Sequence, residues 1–322
     1  MVAILQLACV YPRRASHAHW TRIQNSADML SALTSLYRPA ESHTIYPSRA
    51  VRSGAPRWCH QLIEAQENGR CISPFTNIPA SLRVPLHLHR DAYLAEVQRA
   101  SAPHTKLTWM SGQGQDWWVW YNHARFLNRS ATYVDLAAND AIWRSNTYFF
   151  DACLHWQGLL IEPNPEHYAR LRRERSGTLV PSCVSNTSSN VSFHQGLGWR
   201  GGSSKILPGA ARPEGHGVRT VQCRSLQSII LEGGHRHIDF LSLDVEGHEV
   251  QALSSVDLSK VHIDIIISEN PRVAELLLRN GYRLQSSAHD NIWLRSNFQP
   301  AITRHGGKVT DRTSSAFEYS CG

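Results

Sequence analysis

No long hydrophobic run occurs in this chain of 322 residues, although 42% of its residues are hydrophobic. A membrane-spanning helix needs about 20 consecutive apolar residues, so the sequence predicts no transmembrane segment. The apolar segment 2–11 is short and no basic residue precedes it, which makes it a poor signal peptide and a candidate first buried strand. We therefore expect a soluble protein, and the cytoplasm is favoured over other compartments.

A recognisable cysteine pattern is also missing. The seven cysteines are an odd number, lie far apart and form no C-x-x-C motif. This spacing predicts neither a disulfide framework nor a zinc site. Cys153, Cys183 and Cys223 lie in apolar-rich segments, where we expect them to be buried small hydrophobic residues.

Signals of an acidic partner or of secretion are equally sparse. The chain has 33 basic and 26 acidic residues, but the basic residues are scattered except in the run 170–175. A solvated helix face explains this run better than a nucleic-acid patch, so no nucleic-acid partner is predicted. Asn128, Asn186 and Asn190 begin N-x-S/T sequons, close to the roughly two that chance gives in this composition.

The composition divides the chain near residue 110. Residues 1–110 are rich in Pro, Arg, His, Ser and Trp and show weak periodicity. We expect them to form a partly irregular region of unknown function, with short helices at 27–37 and 91–100. Regular patterns define a predicted domain at 111–297, which is followed by a C-terminal tail at 298–322.

Within the predicted domain, short apolar strands alternate with helices. Helices are predicted at 117–127 (with Asp116 as N-cap), 146–155, 163–175, 226–231, 250–255 and 273–280. Strands are predicted at 132–136, 158–161, 179–184, 238–243, 263–268, 282–285 and 291–295. This pattern predicts an α/β fold with a mostly parallel seven-stranded sheet, covered on both faces and closed by an antiparallel hairpin. The segment 196–217 is rich in Gly, Ser, Pro and Arg, which predicts a mobile loop or a lid around Trp199 and the Gly201-Gly202 pair.

The first two strands have the layout of a nucleotide-binding half. The first ends at Asp135 and is followed by a turn of small residues, and the second is followed by Glu162. Such a turn lets the backbone approach a ligand at a helix N-terminus, and the second acid accepts hydrogen bonds from ribose hydroxyls.

Several segments in order resemble the FkbM-type methyltransferases. They are Gln113-Gly114-Gln115-Asp116, Tyr133-Val134-Asp135-Leu136-Ala137-Ala138-Asn139-Asp140-Ala141, Ser145-Asn146-Thr147-Tyr148-Phe149-Phe150, Trp156-Gln157-Gly158-Leu159-Leu160-Ile161-Glu162-Pro163-Asn164-Pro165 and Ile238-Asp239-Phe240-Leu241-Ser242-Leu243-Asp244-Val245-Glu246-Gly247-His248-Glu249. The resemblance covers about 111–294. It implies a Rossmann-like class I methyltransferase fold, S-adenosylmethionine as methyl donor, and O-methylation of a hydroxyl on a small molecule or sugar. It further implies donor contacts at Asp135, Ala137, Asn139, Asp140, Glu162 and Asn164.

Two departures from that family pattern leave an alternative open. Ala137 and Ala141 stand where the family has glycine, and an alanine Cβ disfavours a left-handed backbone by roughly 1–2 kcal/mol per site. A methyltransferase-like domain that binds without catalysing is therefore the second reading. A nicotinamide-dependent oxidoreductase is a third, although the first turn lacks G-x-G-x-x-G. A nucleic-acid methyltransferase is disfavoured because no N/D-P-P-Y/F/W tetrad follows the fourth strand.

Catalytic candidates crowd the end of the fourth strand. Asp244 or Glu246 can accept a proton or hold the acceptor hydroxyl, since ligands of such sheets meet at this edge. His248 is a candidate base because its pKa lies near neutrality, and a surface residue at a helix N-terminus is the alternative. Glu249 is expected to act on the helix dipole.

A metal site is a further hypothesis at the same edge. Asp244 together with Glu269 and Asn270, which follow the fifth strand, offers the oxygen ligands that Mg²⁺ prefers. Capping of the strand end is the alternative explanation of these residues. The acceptor and the oligomeric state stay open at this point.

Overall fold

The structure, a computed structural model, describes residues 52–68, 109–142, 144–195, 204–207, 217–287 and 290–310. The chain divides into two compact units, Met1–Pro47 and Ser48–Gly322, and every described residue belongs to the second. The helices predicted at 27–37 and 91–100 lie outside the described residues. Among the helices that are described, none combines the length and apolar character that crossing a membrane requires.

A large mixed sheet forms the centre of the described unit. The strands are β1 (Thr132–Leu136), β2 (Gln157–Ile161), β3 (Thr178–Val180), β4 (Cys183–Val184), β5 (Asn190–His194), β6 (Lys205–Ile206), β7 (Val218–Arg224), β8 (His237–Leu243), β9 (His262–Ser268), β10 (Tyr282–Ser287) and β11 (Asn291–Arg295). Seven of them pair in the order β10-β11-β9-β8-β1-β2-β3. Strands β9, β8, β1, β2 and β3 run parallel, whereas β10 and β11 form an antiparallel hairpin at the edge.

The prediction of one strand at 179–184 is wrong, because the structure divides this segment into β3 and β4. Pro181 lies between them and has no N–H to donate to a sheet ladder. After this break β4 joins a second sheet of four strands, in the order β4-β7-β5-β6. The predicted loop at 196–217 contributes β6 to that sheet, and Trp199, Gly201 and Gly202 lie outside the described residues.

Helices flank the main sheet. They are α1 (Arg57–Glu67), α2 (Gln115–Asn122), α3 (Tyr148–Ala152), α4 (Pro165–Glu174), α5 (Leu226–Glu232), α6 (Glu249–Leu253), α7 (Ala274–Arg279) and α8 (Ala301–Arg304), with 3₁₀ turns at Ala124–Phe126 and Pro271–Val273. The prediction of Asp116 as an N-cap is wrong. Gly114 precedes α2 with a φ of 79°, and Asp116 lies inside the first turn, where its carboxylate accepts hydrogen bonds from the N–H groups of Met110 and Ser111 at 2.8 and 3.1 Å.

Two hydrophobic clusters form the core, one on each face of the main sheet. Tyr133 and Phe240 point into the cluster that contains residues of α1, α2 and α3. Val134 and Leu241, their neighbours along the same strands, point into the cluster that contains residues of α5, α6 and α7. The central strands are continuous apolar runs because both faces are covered, as the sequence predicted.

Two disulfide bonds contradict the cysteine prediction. Cys59 of α1 is bonded to Cys153, which follows α3, and Cys183 of β4 is bonded to Cys223 of β7. The partners are 94 and 40 residues apart, so spacing along the chain gives no hint of either bond. By loop-closure entropy each bond stabilises the fold by about 4–5 kcal/mol.

The segment before residue 110 takes part in this core. Trp58 and Leu62 of α1 are buried in the same cluster as Phe149 of α3. The predicted domain boundary near residue 110 stays a prediction, and α1 shows that the compact unit includes chain on its N-terminal side. Chain on the C-terminal side also packs, since Thr310 accepts a hydrogen bond from the Trp118 indole at 2.8 Å.

Candidate functional site

A cavity of about 770 Å³ opens at the carboxyl ends of β1, β2, β8 and β9. The strand order reverses at β1, whose neighbours are β2 on one side and β8 on the other. A parallel sheet leaves a crevice where its order reverses, and ligands of such sheets bind there. The cavity therefore lies where the sequence predicted a ligand, and its lining contains predicted donor and acceptor residues.

The turn after β1 adopts a conformation that favours glycine at two positions. Ala137 has a φ of 65° and Asn139 has a φ of 46°. The N–H groups of Ala137 and Ala138 both donate to the carbonyl of Ile161, at 2.9 and 3.1 Å. Since those bonds tie the turn to the end of β2, the left-handed backbone is held even though Ala137 carries a Cβ.

Glu162 closes the same turn from the end of β2. Its two carboxylate oxygens accept hydrogen bonds from the N–H groups of Asn139 and Asn164, each at 2.7 Å. Burial raises the pKa of Glu162 to about 7, although those two bonds favour the charged form. The side chain is 3% exposed and lines the cavity. Each oxygen keeps a second lone pair, so the carboxylate can accept further hydrogen bonds from a ligand.

Other predicted donor residues have structural roles. Asp140 lines the cavity, but its carboxylate is paired with Arg170 and accepts from the N–H of Ile142 at 2.9 Å. Ala141, which was predicted only to depart from the family's glycine, is fully buried outside the cavity lining, and its φ is not positive. Asn164 is fully buried as the N-cap of α4 and accepts from the N–H of the second helical residue at 3.1 Å.

A buried arginine supports the turn from below. The Arg175 guanidinium donates to Asp151 at 2.6 Å, to the carbonyl of Ala141 at 3.2 Å and to Thr147 at 2.7 Å. The Thr147 hydroxyl in turn donates to Asp135 at 2.5 Å. Burial raises the pKa of Asp135, and the Arg175 charge opposes that shift. This network fixes both ends of the segment 135–147, although the basic run at 170–175 was predicted only as a solvated helix face.

The predicted catalytic residues face the other part of the cavity. Asp244, Glu246 and His248 follow β8, Glu269 follows β9, and all four line the cavity. Desolvation by surrounding protein atoms and the charges of Glu269 and Glu246 raise the pKa of Asp244 well above its usual range. The pKa of Glu269 is raised as well, so this pair retains a proton to higher pH than an isolated carboxylate.

His248 is held against the second sheet. Its Nε2 lies 3.1 Å from the hydroxyl of Ser185, which follows β4, and burial lowers the pKa of the imidazole. The imidazole is therefore neutral near pH 7. The same wall of the cavity includes Phe193 of β5 and Lys205 of β6, which were not predicted from the sequence. The Cys183–Cys223 bond fastens this wall, since β4 and β7 share only two paired positions.

Of the three predicted magnesium ligands, Asp244 and Glu269 lie close together at the cavity, whereas Asn270 is engaged by other groups. Asn270 caps the 3₁₀ turn that follows β9, accepting from the N–H of Arg272 at 3.0 Å, and its amide donates to Glu249 at 2.5 Å. Glu249 is fully buried, and its other oxygen accepts from the N–H groups of Val245 and Gly247. The carboxylate oxygens of Asp244, Glu249 and Glu269 lie within 4.8 Å of one another, but those of Glu249 are already hydrogen-bonded. Glu249 therefore braces the loop after β8, and a magnesium site at Asp244 and Glu269 stays a prediction.

Further polar residues line the cavity, and no role was predicted for them from the sequence. Gln115, at the start of α2, hydrogen-bonds to Asp290 in the turn between β10 and β11, and both line the cavity. Asn146 lines the cavity and donates to Ser242 of β8 at 3.0 Å. Gln115 and Asn146 belong to segments that resembled a known family, which is the one signal that pointed to them.

Comparison with known proteins agrees with this geometry. No curated protein and no solved structure matches the chain. The sequence model described as the methyltransferase FkbM domain matches residues 135–284. That range begins at Asp135 of β1 and includes Glu162 and the whole segment from β8 to β9. Residues 135–284 of this chain are therefore similar to the methyltransferase FkbM domain.

Proposed function

We propose that this protein is an S-adenosylmethionine-dependent methyltransferase that methylates a hydroxyl of a small molecule or a sugar. The observation that carries the proposal is Glu162, a buried carboxylate at the end of β2 that lines the cavity beside the turn after β1. A carboxylate at that position suits ribose hydroxyls. The strand order and the closing hairpin support a Rossmann-like class I methyltransferase fold.

The residues of the first half of the cavity fit the donor. Glu162 would accept from the ribose hydroxyls, and the backbone from Ala137 to Asp140 would lie against the rest of the donor. When bound, S-adenosylmethionine supplies a methyl group that its sulfonium has already activated. The chain itself contributes orientation of the two reactants, exclusion of water and a site for the hydroxyl proton.

The residues of the second half suit a neutral polar acceptor. Asp244, Glu246, Glu269 and Asp290 contribute four carboxyl groups to the lining of the cavity, which also contains the cations Arg144 and Lys205. The carboxyl groups outnumber these two cations, so the arrangement offers hydrogen-bond acceptors for hydroxyls. In its deprotonated form Asp244 would take up the hydroxyl proton, and its raised pKa makes that carboxylate a stronger proton acceptor than an ordinary aspartate.

The alternative is a domain that binds without catalysing, and Ala137 is the observation that favours it. An alanine at a φ of 65° is strained and adds a Cβ to the turn. The hydrogen bonds of the turn are nevertheless complete at Ala137, Ala138 and Asn139. We therefore favour the enzyme over the binding module.

Calorimetric titration with S-adenosylhomocysteine tests the donor half, with NAD as the control for the oxidoreductase reading. Glu162→Gln should weaken binding at least tenfold, because hydrogen bonds to a charged acceptor contribute about 1.5–3 kcal/mol. Glu166→Gln is the matched control, since Glu166 is exposed in the first turn of α4. Equal affinity of the Glu162 variant and the unchanged chain would contradict the proposal, as would binding of NAD alone.

Transfer of a labelled methyl group to a panel of polyols and sugars tests the acceptor half. Asp244→Asn should abolish transfer while leaving the affinity for S-adenosylhomocysteine unchanged, because Asp244 lies at the end of β8 and not beside Glu162. Donor binding without transfer to any member of the panel would favour the binding module.

A further inference from the structure

Every cysteine within the described residues is paired in a disulfide bond. The Cα atoms of Cys59 and Cys153 are 5.5 Å apart, and those of Cys183 and Cys223 are 4.4 Å apart. Both distances lie within the range that a disulfide spans. All four cysteines are at most 4% exposed, so both bonds lie inside the fold, and Cys183 is the one of the four that lines the cavity. Disulfides of this structural kind form and persist in oxidising compartments.

Two sequons lie on the surface of the same unit. Asn128 lies in the irregular segment between the 3₁₀ turn Ala124–Phe126 and β1, and Asn186 lies in the turn between β4 and β5. Each asparagine is exposed, and so are the serines that complete the two sequons, Ser130 and Ser188. An N-linked glycan is bulky and hydrophilic, so it requires a site of this kind on a folded protein.

The third sequon differs from the other two. Asn190 is the first residue of β5 and pairs with Gln222 of β7, while the serine that completes the sequon, Ser192, is 3% exposed. Chance accounts for about two sequons in this composition, so their number alone decides nothing. The exposed, non-repetitive backbone around Asn128 and Asn186, together with the disulfides, is what distinguishes these two sites.

We propose that this chain matures in an oxidising compartment and carries N-linked glycans on Asn128 and Asn186. The side-chain nitrogen of each asparagine would form a bond to the anomeric carbon of an oligosaccharide carried by a lipid diphosphate. The bond between that carbon and the diphosphate oxygen breaks, the diphosphate leaves with the electron pair, and the amide loses one proton. For each disulfide, two thiols give up two electrons and two protons to a disulfide-bearing oxidoreductase.

The two sites are compatible with an open cavity. Asn128 precedes β1 and therefore lies toward the amino ends of the parallel strands, whereas the cavity opens at their carboxyl ends. Asn186 follows β4, and its side chain is not part of the cavity lining. The expectation of a cytoplasmic protein rested on the segment 2–11, which lies outside the described residues.

Peptide mapping of the full-length chain, recovered from the cells that make it, tests the proposal. Peptide N-glycanase treatment in ¹⁸O-labelled water should convert Asn128 and Asn186 to labelled aspartate. Alkylation without reduction should leave the four cysteines of the two disulfides unlabelled, and alkylation after reduction should label them. Unmodified asparagine at both positions, or labelling of either cysteine pair before reduction, would overturn the proposal.

Single substitutions in the same cells separate glycosylation from other changes in mobility. On a denaturing gel, Asn186→Gln and Ser188→Ala should each increase the mobility of the protein by the equivalent of one glycan, and deglycosylation should remove this difference. Ser189→Ala is the matched control, since Ser189 is the neighbouring exposed serine outside that sequon. If Ser188→Ala and Ser189→Ala migrate alike, Asn186 is not glycosylated and the proposal fails at that site. Asn128→Gln should remove a second glycan, seen as a separate increase in mobility of the band.

Discussion

Replacing Ala137 and Ala141 separately by glycine should change stability in opposite directions. The left-handed backbone of Ala137, with a φ of 65°, costs about 1–2 kcal/mol for a residue with a Cβ. Glycine removes that cost but adds about 0.4–1 kcal/mol of chain entropy to the unfolded state. The net effect of Ala137→Gly is an increase of about 0.5–1 kcal/mol in the free energy of unfolding.

Ala141→Gly has no strain to relieve. Ala141 is fully buried and its φ is not positive. Glycine loses one buried methyl, about 0.8 kcal/mol, together with the entropy term, so the free energy of unfolding should fall by about 1.5 kcal/mol. For a domain of this size 1 kcal/mol corresponds to about 2–4 °C in Tm. Thermal unfolding should therefore show a higher Tm for Ala137→Gly and a lower Tm for Ala141→Gly than for the unchanged chain.

Ala137→Gly also tests whether the turn can still bind the methyl donor. Because Ala137 already holds the left-handed conformation and its N–H bond to Ile161, Ala137→Gly should leave the affinity for S-adenosylhomocysteine within about threefold, under 1 kcal/mol. A tenfold gain in affinity would show that the Cβ blocks the donor, and the binding-module reading would then be preferred. A fall in Tm for Ala137→Gly would refute the strain argument itself.

Three further predictions concern charge and covalent bonds. Binding of S-adenosylhomocysteine should strengthen as the pH rises through about 7, because the raised pKa of Glu162 delays formation of the accepting carboxylate; calorimetry at several pH values measures this, and Glu162→Gln should abolish it. Arg175→Met should lower the free energy of unfolding by about 3–5 kcal/mol in denaturant titration, because Asp151 is then buried without its cation. Cys183→Ala combined with Cys223→Ala should lower it by about 4 kcal/mol and also weaken acceptor binding, since the wall loses its cross-link.

The main sheet could be predicted because its signals are local. The strands predicted at 132–136 and 291–295 have the same bounds in the structure, and the one predicted at 238–243 begins one residue earlier. A continuous apolar run that is followed by an acid is typical of a buried strand in a parallel sheet. The signal failed at Pro181, where an apolar run continues across a residue that cannot join the ladder.

The supporting contacts could not be predicted because they join distant residues. Cys59 and Cys153 are 94 positions apart, and nothing in the spacing of either cysteine indicates the bond. Arg175 belongs to a run of basic residues whose pattern predicts an exposed helix face, yet its guanidinium is fully buried beneath the turn. Likewise, the sequence predicted Glu249 to act on the helix dipole and Asn270 to be a candidate magnesium ligand, but the hydrogen bond between them emerges only from the fold.

These distant contacts explain how the domain accommodates alanine in a turn built for glycine. The turn is fixed from above by Glu162, which accepts from Asn139, and from below by Arg175, which holds the carbonyl of Ala141. Strain at Ala137 of about 1–2 kcal/mol is small beside the several kcal/mol that such buried, charge-assisted bonds supply. The turn therefore keeps its shape without its glycines, so their loss from the sequence is weak evidence for loss of activity. The affinity of the unchanged chain for S-adenosylhomocysteine, measured beside that of the Glu162 variant, is the quantity on which the choice between enzyme and binding module depends.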